Sequence, residues 1–230
     1  MHRMIRTLRW LVGLLLSVGG LMVGSVGAHA LDGDPEPDPP TVWTVGDSIT
    51  AGVGTGNRSV DSYPAQLRSL GYVVQSVGTP GQCLVVVGCL SKSAMTETVE
   101  SVLGDAQPGD VLVLEAGTND LGRATDAQLK RGYRAVVREG AARGVDVIVG
   151  TIPPRGEAKA WLVALTERQR VRINYWLRTR GWALADFDTR LERRTDHALA
   201  PRFDSGDGLH PNAKGAIAMA RLVAKSLDWL

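Results

Sequence analysis

The sequence VLVLEAGTND, residues 111–120, combines an apolar run with an abrupt change to glycine and polar side chains. A continuous apolar run, rather than an alternating one, is typical of a strand that is buried on both faces of a parallel sheet. Asn119 and Asp120 follow where this strand would leave the sheet. The segment therefore predicts a central strand whose carboxyl end carries polar side chains.

Strand and helix patterns alternate on both sides of this segment. Strand patterns cover residues 41–46, 72–78, 145–154 and 182–187, and helix patterns cover residues 62–70, 93–106, 125–144, 157–180 and 211–230. Five strands alternating with helices predict one α/β domain, a three-layer α/β/α sandwich around a five-stranded parallel sheet. For the strand order 2-1-3-4-5, the order reverses between strands 1 and 3, and ligand sites of such sheets form at that reversal.

Two polar clusters are expected to meet at this reversal. Ser48 follows strand 1 in TVWTVGDSIT, residues 41–50, and Asn119 follows strand 3. A serine nucleophile needs a base, which is most often an imidazole. Beyond residue 30 the chain has two histidines, and His210 has Asp207 three positions before it, in SGDGLHPNAKG. His197 lies in a polar stretch without such an arrangement, so His210 is the better candidate for the base.

Each of these residues also has an ordinary structural explanation. Ser48 could cap a helix, Asp207 could form a turn, and Asn119 could satisfy backbone groups of its loop. The glycines in AGVGTG, residues 51–56, resemble a phosphate-binding loop. They lack the Lys-Ser or Lys-Thr pair and the dinucleotide spacing, so nucleotide binding is disfavoured. The combination of serine, asparagine, aspartate and histidine at one crevice favours a catalytic site.

Three segments resemble the motif blocks of the SGNH (GDSL-type) hydrolase family. They are GDSIT at residues 46–50, GTND at 117–120 and DGLHPN at 207–212, in the family's order. The resemblance spans residues 41–230 and implies the α/β/α fold given above. The sequence lacks the G-x-S-x-G elbow of ordinary α/β-hydrolases, since Thr50 stands two positions after the serine.

The resemblance also implies an activity and three catalytic residues. Ser48 would be the nucleophile, His210 the base and Asp207 the acid that orients it. The implied protein is a serine esterase that cleaves carboxylic esters through an acyl-enzyme and without a metal or organic cofactor. The short predicted loops, with no long insertion to form a lid, favour short acyl groups, and lipase activity is the alternative. Its substrate would be a small-molecule or glycan ester. The alternatives are a carbohydrate O-acetyl esterase or acetyltransferase with the same site, and a binding module that has lost activity.

The family's oxyanion hole implies three hydrogen-bond donors in this chain. They are the backbone N–H of Ser48, the side chain of Asn119 and the N–H of a glycine. The glycine belongs to SVGTPGQC, residues 76–83, where Ser76 replaces the family's usual asparagine. Gly81 is the expected donor and Gly78 the alternative.

The first 40 residues predict export. Arg3, Arg6 and Arg9 precede an apolar run that ends in AHA, so residues 1–30 read as a signal peptide cleaved after Ala30. An uncleaved anchor is the alternative, because the run is long enough to span a bilayer. Residues 31–40 are acidic and proline-rich, which is typical of a linker. We expect a secreted or cell-envelope bacterial protein, with no stable membrane insertion after cleavage and one domain at residues 41–230.

Charge and cysteine content complete these expectations. Without residues 1–30 the chain has 23 basic and 24 acidic residues, which gives no electrostatic reason to expect nucleic acid as a partner. Cys83 and Cys89 are the only cysteines, and export favours a disulfide between them. Free thiols or a metal site are the alternatives, although no histidine is near in sequence. We expect a monomer.

Overall fold

A computed structural model of the protein describes residues 38–156 and 160–230. The predicted signal peptide, residues 1–30, and linker residues 31–37 lie outside the described residues. The strands are β1 (Thr41–Gly46), β2 (Val73–Gly78), β3 (Val111–Glu115), β4 (Asp146–Gly150) and β5 (Ala183–Ala185). The helices are α1 (Arg58–Asp61), α2 (Tyr63–Ser69), α3 (Met95–Asp105), α4 (Asp126–Ala142), α5 (Ala160–Arg178), α6 (Phe187–Leu191) and α7 (Ala213–Leu227).

The five strands form one parallel sheet in the order β2-β1-β3-β4-β5, which confirms the predicted topology. In the register of β1, Gly46 pairs with Gly78 of β2 on one side and with Glu115 of β3 on the other. The last residues of these three strands therefore lie side by side. The segments that carry Ser48 and Asn119 leave the sheet from this shared edge.

Helices cover both faces of the sheet, so the three-layer prediction is also confirmed. Leu112 and Leu114 of β3 pack with α3, α4 and α5, whereas Val111 and Val113 pack with α2, α6 and α7. All four side chains are buried. Truncating a buried leucine of this kind to alanine costs about 2–5 kcal/mol of folding free energy. The sheet is thus anchored by two apolar layers and holds its carboxyl edge rigidly.

The element boundaries differ from the predictions at several places. β4 ends at Gly150, although the apolar pattern continues to Pro154, because the chain then leaves the sheet along irregular backbone. β5 has three residues instead of six, since Asp186 accepts a hydrogen bond from the Thr189 N–H and starts α6. The short helices α1 and α6 are absent from the predicted elements.

Helix α4 shows how the sequence sets a boundary. Thr125 accepts a hydrogen bond from the backbone N–H of Gln128, and the Gln128 side chain accepts one from the Thr125 N–H. This reciprocal capping box satisfies two N–H groups that have no partner within the helix. The structure thus has a helix where the pattern over residues 125–144 predicts one, with Thr125 as its N-terminal cap.

The described helices also bear on membrane insertion. Within residues 38–156 and 160–230, none combines the length and the apolarity that crossing a lipid bilayer requires.

Candidate active site

Ser48 lies in a tight turn immediately after β1. The Ala51 N–H donates to the Asp47 carbonyl at 3.0 Å, and the Val53 N–H donates to the Ser48 carbonyl at 2.9 Å. The turn requires glycine at position 46, since a Cβ there would lie 2.0 Å from Thr50 Oγ1. The turn holds the Ser48 side chain at the carboxyl edge of the sheet, where it is 8% exposed.

The imidazole of His210 joins Ser48 to Asp207. His210 Nε2 lies 2.9 Å from Ser48 Oγ, and His210 Nδ1 lies 2.5 Å from Asp207 Oδ2. The other carboxylate oxygen, Asp207 Oδ1, accepts the backbone N–H groups of Leu209 at 2.8 Å and His210 at 2.9 Å. The Ser48 hydroxyl is therefore hydrogen-bonded to the imidazole, and the structure brings the three predicted catalytic residues into one hydrogen-bonded chain.

The environment of Asp207 favours its ionised form. Partial burial acts to raise the pKa of Asp207, but hydrogen bonds from the His210 N–H, the His210 ring and the Leu209 N–H outweigh it and lower that pKa to about 2. The carboxylate is thus charged throughout the neutral range. A charged acceptor holds the proton of His210 on Nδ1, which leaves Nε2 free to accept a proton from Ser48.

Neighbouring loops hold the segment that carries Asp207 and His210. The Ser205 N–H donates to the His210 carbonyl at 3.0 Å, and the Gly156 N–H donates to the Gly208 carbonyl at 2.9 Å. From the other side, Gly54 lies against His210, where an added Cβ would be 2.6 Å from the His210 Cβ. The ring is therefore held between the loop after β1 and the loop before α7.

His197 is remote from this arrangement. Its ring is exposed, and Nδ1 lies 2.8 Å from Glu192 Oε2. This hydrogen bond and the charge of Glu192 raise the pKa of His197. The structure brings His210, and not His197, to Ser48.

The three expected donors of the oxyanion hole come from three different loops. Asn119 Nδ2 donates to Asp47 Oδ2 at 2.9 Å and to the Gln82 carbonyl at 3.0 Å. The backbone N–H groups of Ser48 and Gly81 have no acceptor among the residues that the structure describes. The N–H groups of Ser48 and Gly81 are thus unpaired in the described part of the chain, whereas both hydrogens of the Asn119 amide have acceptors.

Gly81 and Gly78 differ in their surroundings. Gly81 has a φ of +76°, which favours glycine, and its carbonyl accepts the Leu90 N–H at 3.2 Å. Gly78 ends β2 and packs against the backbone of Ala51, where an added Cβ would be 2.4 Å from the amide nitrogen. The segment that follows Gly81 is closed by a disulfide between Cys83 and Cys89, so the predicted bridge is present in the structure.

Two buried carboxyl groups complete the site, and neither has a predicted role. Asp47 and Glu115 are both fully buried, and burial raises the pKa of each. Glu115 Oε2 accepts the Thr50 hydroxyl at 3.0 Å, and the Thr50 Oγ1 lies 3.2 Å from the Tyr63 hydroxyl oxygen. An acid at the end of an otherwise apolar strand is the sequence signal that marks Glu115.

Arg155 is a further buried charge near the site that the motifs do not mark. Its Nη2 donates to the Thr118 carbonyl at 2.7 Å, directly before Asn119, and its Nη1 donates to the Thr166 hydroxyl. Burial lowers the pKa of Arg155 to about 10, which leaves it charged at neutral pH. The guanidinium therefore fixes the backbone from which Asn119 projects.

Within residues 38–156 and 160–230, no group of three or more His, Cys, Asp or Glu side chains is arranged to hold a metal ion.

Comparison with known proteins supports one family. The family model of GDSL-like lipases and acylhydrolases matches residues 44–217, which include Ser48, Asn119, Asp207 and His210. The chain is 31% identical over 144 residues to the uncharacterized esterase YxiM of Bacillus subtilis strain 168. That match covers 56% of this chain and 36% of YxiM, so the chain spans about a third of its relative's length.

Solved structures show the same fold at low identity. The carbohydrate acetylesterase Est24 from Sinorhizobium meliloti has a TM-score of 0.66 at 15% identity, over 83% of this chain and 99% of that chain. The aryl esterase of M. smegmatis has a TM-score of 0.64 at 17% identity, over 84% of this chain and 100% of that chain. Taken with the family match over most of the domain, the motifs and the sheet order establish that the chain belongs to the GDSL-like lipase/acylhydrolase family.

Proposed function

We propose that this protein hydrolyses carboxylic esters through an acyl-enzyme formed on Ser48. The observation that carries the proposal is the continuous hydrogen-bonded chain from Ser48 Oγ through His210 to Asp207. A serine hydroxyl is a weak nucleophile unless an adjacent base removes its proton. Here the base is 2.9 Å away and is oriented by a carboxylate.

The first half of the reaction forms the acyl-enzyme. Ser48 Oγ attacks the ester carbonyl carbon while its proton passes to His210 Nε2, and Asp207 stabilises the imidazolium that results. The tetrahedral intermediate then expels the alcohol oxygen, which takes the proton from Nε2. The released alcohol is neutral, and the acyl group remains on Ser48.

The second half returns the enzyme to its starting state. A water molecule gives a proton to His210 Nε2 as its oxygen attacks the acyl carbon, and Ser48 leaves with that proton. In both halves the substrate's carbonyl oxygen gains negative charge. The N–H groups of Ser48 and Gly81 and the amide of Asn119 would receive this oxygen, and removing one such donor typically costs about 3–4 kcal/mol of transition-state stabilisation.

Short acyl groups are the substrate class that we propose. The groups of the site stand on the links from β1 to α1, from β2 to α3, from β3 to α4 and from α6 to α7. None of these links contains a helix that could form a lid over Ser48 among the residues that the structure describes. An open site of this kind favours small acyl groups over long chains.

Acetyl groups on carbohydrate are the second candidate. The structural similarity to Est24, a carbohydrate acetylesterase, is the observation that favours it. Hydrolysis of such an ester, or transfer of its acetyl group to a second hydroxyl, would use the same residues. A panel of p-nitrophenyl esters of increasing chain length, tested beside acetylated xylan and peptidoglycan, separates the two substrate classes.

Export is also part of the proposal. The disulfide between Cys83 and Cys89 supports it, because disulfides persist in oxidising compartments outside the cytosol. Export with cleavage after Ala30 would give a mature protein that starts at Leu31. Amino-terminal sequencing of protein recovered from the culture medium tests this site.

Active-site labelling is the experiment that tests the catalytic proposal. A fluorophosphonate probe should label Ser48 in the native protein, and Ser48→Ala should abolish the labelling. His210→Ala should slow it greatly, whereas His197→Ala is the matched control and should leave it unchanged. A native protein that takes up no probe and cleaves no ester would support the inactive binding module instead.

A further inference from the structure

Asn119 is held by a second carboxylate that lies outside the Ser48–His210–Asp207 chain. The Asn119 amide nitrogen has two hydrogens, and the structure directs one to Asp47 Oδ2 and the other to the Gln82 carbonyl. A bond to a charged acceptor is roughly twice as strong as one to a neutral acceptor. The Asn119 hydrogen that is bonded to the Gln82 carbonyl is therefore the one that can turn to a substrate oxygen. The hydrogen bond to Asp47 remains and acts as the pivot about which the amide turns.

This pivot depends on Asp47 being ionised in a fully buried position. Both of its oxygens accept N–H groups, since Oδ1 accepts the Ile49 N–H at 2.9 Å and Oδ2 accepts Asn119. Glu115 is its neighbour, since Glu115 Oε2 lies 3.4 Å from the Asp47 backbone nitrogen, and it is equally buried. Two adjacent carboxylates without solvent cannot both be charged, so the pair holds a proton.

The hydrogen-bond partners of the two carboxyl groups indicate which one holds that proton. Glu115 Oε2 accepts the Thr50 hydroxyl at 3.0 Å and the Asp47 N–H at 3.4 Å. Glu115 Oε1 is buried and has no hydrogen-bond partner among the residues that the structure describes. Asp47, in contrast, has an N–H donor on each oxygen. The donors stabilise a charge on Asp47, and the bare oxygen of Glu115 is the position that a proton would satisfy.

We propose that Asp47 is a positioning residue which, ionised and paired with a protonated Glu115, aims the Asn119 amide at the oxyanion. The inference rests on the proposed ester hydrolysis, because it concerns the same intermediate. The alternative is that Asp47 only stabilises its turn through the Ile49 N–H.

The substitution Asp47→Asn separates these roles. An asparagine keeps one oxygen for the Ile49 N–H and so preserves the turn, but its NH₂ group then faces the NH₂ group of Asn119. The two donors repel, and the Asn119 amide loses its pivot. Asp110 provides the control, because it is also buried and accepts three N–H groups, yet it lies at the opposite end of β3 from Glu115.

A double-mutant cycle measures whether Asp47 acts through Asn119. We expect Asp47→Asn and Asn119→Ala each to lower kcat on p-nitrophenyl acetate by about tenfold or more, with KM changed by less than about threefold. In the Asn119→Ala protein, adding Asp47→Asn should lower kcat by less than about threefold further, since the amide that Asp47 positions is already absent. Asp110→Asn should leave kcat unchanged. Multiplicative losses in the double variant would overturn the proposal.

The position of the proton has its own measurement, which does not depend on activity. At neutral pH the infrared spectrum of the native protein should show a protonated carboxylic acid band that Glu115→Gln removes and Asp47→Asn retains. The loss in kcat should also be smaller for Glu115→Gln than for Asp47→Asn. A native spectrum without the band contradicts the shared proton. A native protein that shows the band but cleaves no ester refutes the proposed function instead.

Discussion

His210 Nε2 lies 2.9 Å from Ser48 Oγ, although 162 positions of the chain separate the two residues. Ser48 stands on the turn after β1, the strand next to the central strand β3, and His210 stands on the loop before α7. The contact therefore forms only when the carboxy-terminal helix packs on the sheet. The proposed catalytic site is therefore complete only in the fully folded domain.

The first prediction concerns the orientation of His210. Asp207→Asn keeps an oxygen for the backbone N–H groups but presents an N–H to His210 Nδ1. The imidazole must then accept at Nδ1 and carry its proton on Nε2, which prevents it from accepting the Ser48 proton. We expect kcat to fall by about 10³- to 10⁴-fold, with little change in thermal stability.

Steady-state kinetics and a thermal melt of the same preparation check this prediction. His197→Ala serves as the control for a histidine change outside the site. A loss of kcat that only accompanies a large fall in melting temperature would speak against a role in orientation.

A second prediction concerns Gly54, which lies against His210, the proposed base. Gly54 has a φ of +90°, and an added Cβ would be 2.6 Å from the His210 Cβ. Gly54→Ala should therefore displace the ring and lower kcat by about tenfold or more, as displacements of about an ångström in active sites do.

Gly71 is the matched control for this change. It has a similar φ of +97°, but no atom lies within 4 Å of the added Cβ. Gly71→Ala should lower stability by about 1 kcal/mol through backbone strain and leave kcat intact. Urea titrations and kcat measured on both variants check the pair. Equal losses of kcat would show that strain alone, and not contact with His210, is responsible.

The third prediction concerns the disulfide. Cys83 is fully buried and follows Gly81 by two residues, and Leu90, next to Cys89, donates its N–H to the Gly81 carbonyl. The bridge therefore restrains both ends of the loop that presents the Gly81 N–H. Verified reduction should lower kcat more than it raises KM, and it should cost roughly 2 kcal/mol of stability on the chain-entropy model.

A double variant with alanine at both cysteines repeats the measurement without reductant. Turnover that is unchanged after mass spectrometry confirms two free thiols would exclude this role for the bridge.

A fourth prediction concerns acid stability. Burial acts to raise the pKa of Asp110, but hydrogen bonds from the Gln107 N–H, the Trp43 indole and the Thr41 N–H outweigh it and lower that pKa. A lowered folded-state pKa stabilises the protein above the unfolded value of about 3.9, and this contribution is lost as the pH falls through the folded value.

Asp110→Asn leaves at least one of these three donors without an acceptor. At pH 7 the free energy of unfolding should fall by about 1–2 kcal/mol, and the difference from the native protein should shrink as the pH falls below the unfolded pKa of about 3.9. Urea unfolding at several pH values measures it. A difference that stays constant with pH would show that the charge of Asp110 contributes nothing.

Much of the architecture is predictable because it depends on local patterns. The apolar run of β3 and the capping residues of α4 stand in the sequence as short, readable signals. The alternation of strands and helices predicts the parallel sheet, and the strand order of the family that the motifs resemble places Ser48 and Asn119 at one edge. The short helix α6 escapes prediction because its start depends on a cap at Asp186 and on burial of Phe187.

The carboxyl pair is not predictable from spacing. Asp47 and Glu115 are 68 positions apart, and they meet because Gly46 and Glu115 are partners in the β1–β3 register. A sequence pattern marks each acid separately, but it carries no information on this register. The role of Arg155 is hidden for the same reason, since its contact with the Thr118 carbonyl joins two different strand ends.

The acid and the base of the catalytic chain share one segment, residues 207–210, and Asp207 binds both the ring and the backbone of His210. The two residues therefore reach Ser48 as a single unit, through the His210 ring. Completing the proposed catalytic site therefore requires one contact, between this segment and Ser48, and a change that displaces residues 207–210 would remove the proposed acid and base together.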